Sequence, residues 1–80
     1  MSAEHEAAFL ACVLWNQDIL YKTSLTEEHF LYGEHRRIYR AMQKCADDGV
    51  KVDYIAVCDR DAEITKGYLV TLGDKIASAA

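Results

Sequence analysis

Residues 32–42, YGEHRRIYRAM, set His35 beside Arg36 and Arg37, with Arg40 one turn further on. Such a group could bind a phosphate, move a proton or hold an acidic partner. The other candidates are Glu4, His5 and Glu6, three consecutive residues offering two carboxylates and an imidazole, and His29. Catalysis requires interlocking roles: a nucleophile with its base, paired carboxylates, or metal ligands on one face. Consecutive residues on a helix splay about 100° apart, so Glu4, His5 and Glu6 read as an exposed helix start rather than a metal site. His29 and His35 are not spaced i, i+4, and no H-E-x-x-H occurs. Gly33, Gly49, Gly67 and Gly73 are isolated, and no G-x-x-x-x-G-K-[ST] is present. No catalytic, cofactor-binding or metal-ligating residue is therefore expected in this chain.

Composition narrows the remaining classes. Eighty residues make one small domain, 1–80, which buries only about 60–65% of the surface exposed by its unfolded chain. The net charge of −4 disfavours DNA binding by this segment alone. Its longest apolar run, Ala7 to Trp15, follows Glu4 and Glu6 rather than a basic leader and is far short of the roughly 20 residues that span a bilayer. A soluble, cytoplasmic protein with no membrane partner is expected. Cys12, Cys45 and Cys58 are odd in number and widely spaced, which points to reduced, largely buried thiols rather than a disulfide framework or zinc site.

The elements that must position these residues read as all-α, a small orthogonal bundle of about five or six short helices. Proline is absent and few stretches alternate polar with apolar. The first helix runs from about Ala3 to Trp15 with Ser2 as N-cap, and from Ala7 it is apolar on nearly every side, which predicts a central helix touched by all the others. Asn16 caps a second short helix, Gln17 to Tyr21, with Ile19 and Leu20 inward. Thr26 caps a turn through Glu27 and Glu28, Phe30 and Leu31 dock it on the core, and Gly33 ends it. A longer helix follows from Glu34 to Asp47, with Gly49 at the left-handed position beyond its end.

On that helix the opening motif acquires a geometry. Ile38, Ala41, Met42 and Cys45 recur at three- and four-residue steps, and His35 lies one turn before Ile38 on the same stripe. His35 thus reads as a core histidine satisfied by a backbone carbonyl or a carboxylate. Arg36, Arg37, Arg40, Gln43 and Lys44 take the outer arc, a solvated face with partner docking as its second use. Beyond Gly49 the chain is extended until Asp53 caps a helix with Ile55, Ala56 and Val57 inward. CDRDAEITKG reads as a polar connection, and a last helix from about Lys66 to Leu72 buries Tyr68, Leu69 and Leu72. The tail GDKIASAA has no evident partner and is expected to fray.

The order of these motifs resembles the amino-terminal domain of DnaB-type replicative DNA helicases over nearly the whole chain. The family pattern E-x-E-x-A-x-L-x-x-x-L is matched by Glu4, Glu6, Ala8, Leu10 and Leu14. L-x-P-E-D-F-Y is matched by Leu25, Glu27 and Phe30, and H-R-x-I-[YF]-x-A by His35, Arg36, Ile38, Tyr39 and Ala41. G-x-P-[VI]-D is matched by Gly49, Val52 and Asp53, and the closing Y-L-x-x-L and S-A-A by Tyr68, Leu69, Leu72 and residues 78–80. Thr26 replaces the usual proline, Gly33 stands where proline is frequent, and the segment between Val57 and Tyr68 is shorter than is typical and lacks the usual pair of glycines.

The resemblance implies a parent that is a hexameric, ring-shaped helicase using ATP and magnesium to unwind DNA 5′ to 3′ at the replication fork. This chain would be the head of its collar, which self-associates as a dimer or trimer of dimers and engages primase and, in some systems, a loader. DNA contact and ATP chemistry would belong to a motor domain absent from this chain. His35 and Arg36 would be structural, with the guanidinium tying the neighbouring loop through Glu27 or Glu28. Arg36, Arg37, Arg40 and Lys44 would form the contact surface. A free-standing helicase-binding adaptor and the helicase-interaction domain of primase are the alternative readings.

Overall fold

Ser2 begins the fold as its position predicts: its Oγ accepts the His5 N–H at 3.2 Å and starts α1, Ala3–Trp15. The computed structural model describes the backbone of residues 2–79 and the side chains of residues 2–74, and among the described residues there are five α-helices and no strand. The capping position of the second helix, expected at Asn16, falls on Gln17, which makes no side-chain cap bond; Asn16 Oδ1 instead accepts the N–H of Asp18 at 3.1 Å, in the turn that leads into the helix. The second helix, α2, is therefore Asp18–Lys22, displaced by one residue. Gln17 stays outside it, and its side chain accepts the Val52 N–H at 3.1 Å.

Thr26 opens a single 3₁₀ turn, Glu27–His29. Its N–H donates to His29 Nδ1 at 2.9 Å. Phe30 is fully buried, whereas Leu31, expected to dock beside it, is 71% exposed. The core-facing group at that position is the Leu31 N–H, which donates to a buried carboxylate, so the side chain is turned outward.

The long helix, α3, spans Gly33–Asp47. Gly33 is its first residue rather than the terminator of the preceding turn, because the extended Tyr32 supplies the carbonyl that accepts the Arg36 N–H at 2.9 Å. At the other end Gly49 has φ +72°. The Gly49 N–H reaches the Ala46 carbonyl at 3.1 Å and the Val50 N–H reaches the Cys45 carbonyl at 3.0 Å, the paired bonds of a Schellman termination.

Asp53 Oδ1 accepts the Ala56 N–H at 2.8 Å and starts α4, Tyr54–Arg60. Val57 is buried, Ala56 half-buried, and Ile55, expected inward, is 67% exposed. Two residues along a helix are about 200° apart, so Ile55 and Val57 cannot share the buried face. The helix also continues through Cys58, Asp59 and Arg60, where a polar connection was expected, and within that connection Ile64 is buried. Thr65 Oγ1 then accepts the Tyr68 N–H at 3.2 Å, and α5 runs Lys66–Ala79. It passes well beyond Leu72, since Ser, Lys and Ala sustain a helix and no proline stops it. How residues 75–80 pack lies outside the described residues.

The centre of the bundle is shared rather than held by α1 alone. Helix α1 packs on α5, α3 and α2, while α3 carries α4 and the 3₁₀ turn, and α4 closes on α5. The stripe foreseen on α3 is the reason: His35, Ile38, Ala41, Met42 and Cys45 are all buried, which gives that helix an apolar face of its own. The Phe30 and Tyr39 rings lie 4.8 Å apart and tilted, with Phe9 tilted against both, and the Tyr39 hydroxyl donates to the Leu25 carbonyl at 2.7 Å. Leu10 is buried and Leu14 packs at the edge of the same core. A Cβ at Gly73 would come within 3.0 Å of the Tyr54 hydroxyl, so glycine permits the close approach of α4 and α5. The radius of gyration, 11.3 Å, is what a compact chain of this length should have, about 11.6 Å.

Candidate functional site

Glu6 lies one turn into α1 and is fully buried, contrary to the expectation of an exposed helix start. Its partners are at the start of α3. Oε2 accepts the Leu31 N–H at 2.7 Å, Oε1 accepts the Tyr32 N–H at 3.4 Å, and Oε1 also meets His35 Nδ1 at 3.0 Å. About four N–H donors that lack helical partners collect at an α-helix start, together with the positive end of the helix dipole, so a carboxylate is stabilised there. Burial by itself pushes the Glu6 carboxyl upward. The Leu31 N–H, the His35 ring and the Tyr32 N–H, with the charge of His35, outweigh burial and hold it below the ordinary carboxylate range.

An ionised Glu6 only accepts hydrogen bonds, which puts a proton on His35 Nδ1. In the neutral ring Nε2 is then the acceptor, and it lies 2.6 Å from the Tyr68 hydroxyl of α5. Tyr68, His35 and Glu6 thus stand in the relative order of a nucleophile, a base and an orienting carboxylate. The electrostatics oppose that use. Burial first, then the carboxylates of Glu34 and Glu6, push the Tyr68 phenol above its usual range, so the phenolate a nucleophile requires is disfavoured. The arrangement pins α1, α3 and α5 together through buried, mutually satisfied polar groups.

His35 therefore has the carboxylate partner that its place on the apolar stripe predicts. Sequence reasoning placed Tyr68 in the core of the last helix but missed its bond to His35, and no local signal links residues 33 positions apart. The side chain of Arg36 does tie the neighbouring loop, but through the Phe30 carbonyl, to which Nη2 donates at 2.9 Å, rather than through Glu27 or Glu28. Its Nε is buried without a hydrogen-bond partner.

The rest of the basic arc is partly engaged. Arg40 Nε pairs with Glu27 at 2.7 Å; the guanidinium's hydrogen bond holds the Glu27 carboxyl below its usual range. Arg37 reaches Asp61 at 3.4 Å and also Glu63, which clips α3 to the connection before α5. Lys44 is exposed and forms no ion pair among the described residues. Next to this arc, Leu20, Tyr21, Gln43, Ala46 and Asp47 line a shallow groove between α2 and α3.

Cys45 is buried and burial raises its thiol, while Cys12 and Cys58 are half-buried, and all three are free. Among the described residues no group of three or more His, Cys, Asp or Glu could hold a metal ion, and no helix is long and apolar enough to cross a membrane. Glycines that could build a phosphate cradle are isolated from one another. The site is thus a buried polar pin beneath a basic helix face. No curated protein matches the chain. Over all of residues 1–80 it matches the family described as DnaB-like helicase N terminal domain.

Proposed function

The chain belongs to the DnaB-like helicase N-terminal domain family, and from that membership we propose that it is the collar head of a ring-shaped replicative helicase, a cytoplasmic domain that works by association. Its self-association would build dimers or a trimer of dimers, and its exposed surface would dock primase and, where one exists, a loader. ATP and magnesium would be handled by a motor domain outside these 80 residues, where the phosphate-loop pattern G-x-x-x-x-G-K-[ST] would lie. DNA would be gripped there too.

The single observation that carries this reading is the match across the whole chain. The geometry supports it: Glu6, Leu10, Phe30, His35, Ile38, Tyr39 and Asp53, which carry the family motifs, fill core or capping positions. A domain whose motif residues are spent on its own scaffold is suited to presenting a surface. For that surface we assign the outer arc of α3, with Arg37, Arg40 and Lys44 as the contacting cations and Arg36 as the residue that holds the adjoining loop.

Sedimentation velocity on a concentration series, followed by calorimetric titration with the helicase-binding domain of the cognate primase, tests both associations. Self-association and primase binding are expected, with Lys44→Glu and Arg40→Glu each weakening one of them. Absence of both at roughly 100 μM, equivalent to about −5.5 kcal/mol, overturns the proposal. A monomer that binds an intact helicase ring would instead be a free-standing adaptor.

A further inference from the structure

Leu31 and Tyr32 are neighbours in the loop before α3, and both expose much of their side chains. Their backbones are not loose, because both N–H groups donate to the buried Glu6 carboxylate. That carboxylate holds His35 Nδ1 at 3.0 Å, and His35 Nε2 holds the Tyr68 hydroxyl at 2.6 Å. Tyr68 is the third residue of α5, a helix that continues to Ala79. A surface loop and the start of the last helix are thus joined by one unbroken line of hydrogen bonds through the core.

We propose that the Glu6–His35–Tyr68 line is a conformational coupler that transmits a displacement of the exposed Leu31–Tyr32 loop to the first turn of α5. Each bond in the line fixes the next. The ionised carboxylate demands a proton on Nδ1; in the neutral ring that leaves Nε2 to accept, and the accepting nitrogen fixes the direction of the Tyr68 O–H. Hydrogen bonds in series polarise one another and strengthen together. A contact that draws the Leu31 and Tyr32 N–H groups away from Glu6 leaves the carboxylate to be satisfied by the imidazole alone. The ring then shifts toward it and away from Tyr68. Coupling of this kind is reciprocal, so loosening Tyr68 must loosen the loop by the same free energy.

Among the described residues no other line of hydrogen bonds joins the two ends. The other bonds at the start of α5, from the Tyr68 N–H to Thr65 Oγ1 and from the Leu69 N–H to the Thr65 carbonyl, are local. The other tie on the loop, Arg36 to the Phe30 carbonyl, stays within the chain segment around α3.

Amide hydrogen exchange on the 80-residue chain, resolved by residue, decides the matter with Tyr68→Phe, which removes one hydroxyl and leaves the ring. Exchange at Leu31 and Tyr32 is expected to quicken roughly fivefold, the effect of weakening one hydrogen bond, while the Val57 amide of α4 is unchanged. Glu6→Gln gives the reverse arm, with faster exchange expected at Leu69. Faster exchange confined to α5 in Tyr68→Phe, a uniform increase that includes Val57, or no change at all each overturn the proposal. Should Glu6→Gln fail to fold, the Tyr68→Phe arm decides alone.

Discussion

Glu6 and His35 stand 29 residues apart in the chain and 3.0 Å apart in the core. One comes from the first turn of α1 and the other from the first turn of α3, so the pair fixes how two helix starts meet. Neither residue is solvent-accessible to any useful degree. A buried ionisable pair is tolerated when every remaining lone pair and proton has a partner, and here the loop amides and Tyr68 supply them.

Replacing Glu6 tests that satisfaction. In Glu6→Ala the Leu31 and Tyr32 N–H groups and His35 Nδ1 lose their acceptor together, and each unsatisfied buried donor costs about 1–3 kcal/mol. A loss of about 3 kcal/mol is expected, against a total of about 4–12 kcal/mol for a domain of this size. Glu6→Gln keeps an oxygen for Leu31 and should cost about 1 kcal/mol. Urea denaturation followed by circular dichroism reads both. Equal, small losses in the two variants would show that the carboxylate is not the organising group.

Acid should act through the same residue. The folded chain holds Glu6 below its ordinary value of 4.5, so between the two values the unfolded chain binds a proton that the folded chain does not. The contribution of Glu6 is complete above 4.5 and is lost as pH falls through the lower, folded value. Denaturation midpoints measured downward from neutral pH should fall in that window, and Glu6→Gln should flatten the fall. At the alkaline end the signs reverse: Tyr39 and Tyr68 are raised above 10.0, so stability declines as pH climbs past that value. Parallel acid limbs in the parent chain and Glu6→Gln would contradict the account.

The elements written in local chemistry were legible beforehand. Ser2, Asp53 and Gly49 each act within three residues of themselves, and the stripe from His35 to Cys45 follows from helical spacing alone. What failed was set by tertiary partners. Glu6 looked like a first-turn acid for a helix dipole, and only the arrival of the loop at residues 31–32 turns it inward. Leu31 and Ile55 looked like core residues by type, yet the backbone bond at one and the 200° offset from Val57 at the other turn them out. Arg36 does tie the loop, but through a main-chain carbonyl that no charge pattern reveals, rather than through Glu27 or Glu28.

Two glycines should respond in opposite directions to alanine. Gly67 lies in the first turn of α5 with nothing within 4 Å of a new Cβ, so Gly67→Ala gains helix propensity and should stabilise by about 0.5 kcal/mol. Gly49 also has open space, but its φ of +72° is a conformation that costs an L-residue about 1–2 kcal/mol. Gly49→Ala should be destabilising by about 1 kcal/mol despite the room around it. Thermal melts of the two variants separate them. A loss in both would mean that space, rather than backbone conformation, had been misjudged at Gly67.

Trp15 provides a probe that the fold leaves outside. It is the sole tryptophan in the sequence, sits at the last residue of α1, and is 84% exposed. Its indole is nearly as hydrated in the folded chain as in the unfolded one, so its emission should shift little on denaturation and iodide should quench both states alike. Unfolding should therefore change tryptophan emission little while remaining plain in circular dichroism. The same exposure makes Trp15 sensitive to association, since covering an indole removes it from water. In dilute solution the emission should be that of a hydrated indole, and it should move to shorter wavelength on concentration only if the carboxyl-terminal end of α1 lies within a contact. Emission typical of a buried indole at the lowest concentration would mean that this end of α1 is already covered, and the single-chain exposure of Trp15 would be wrong.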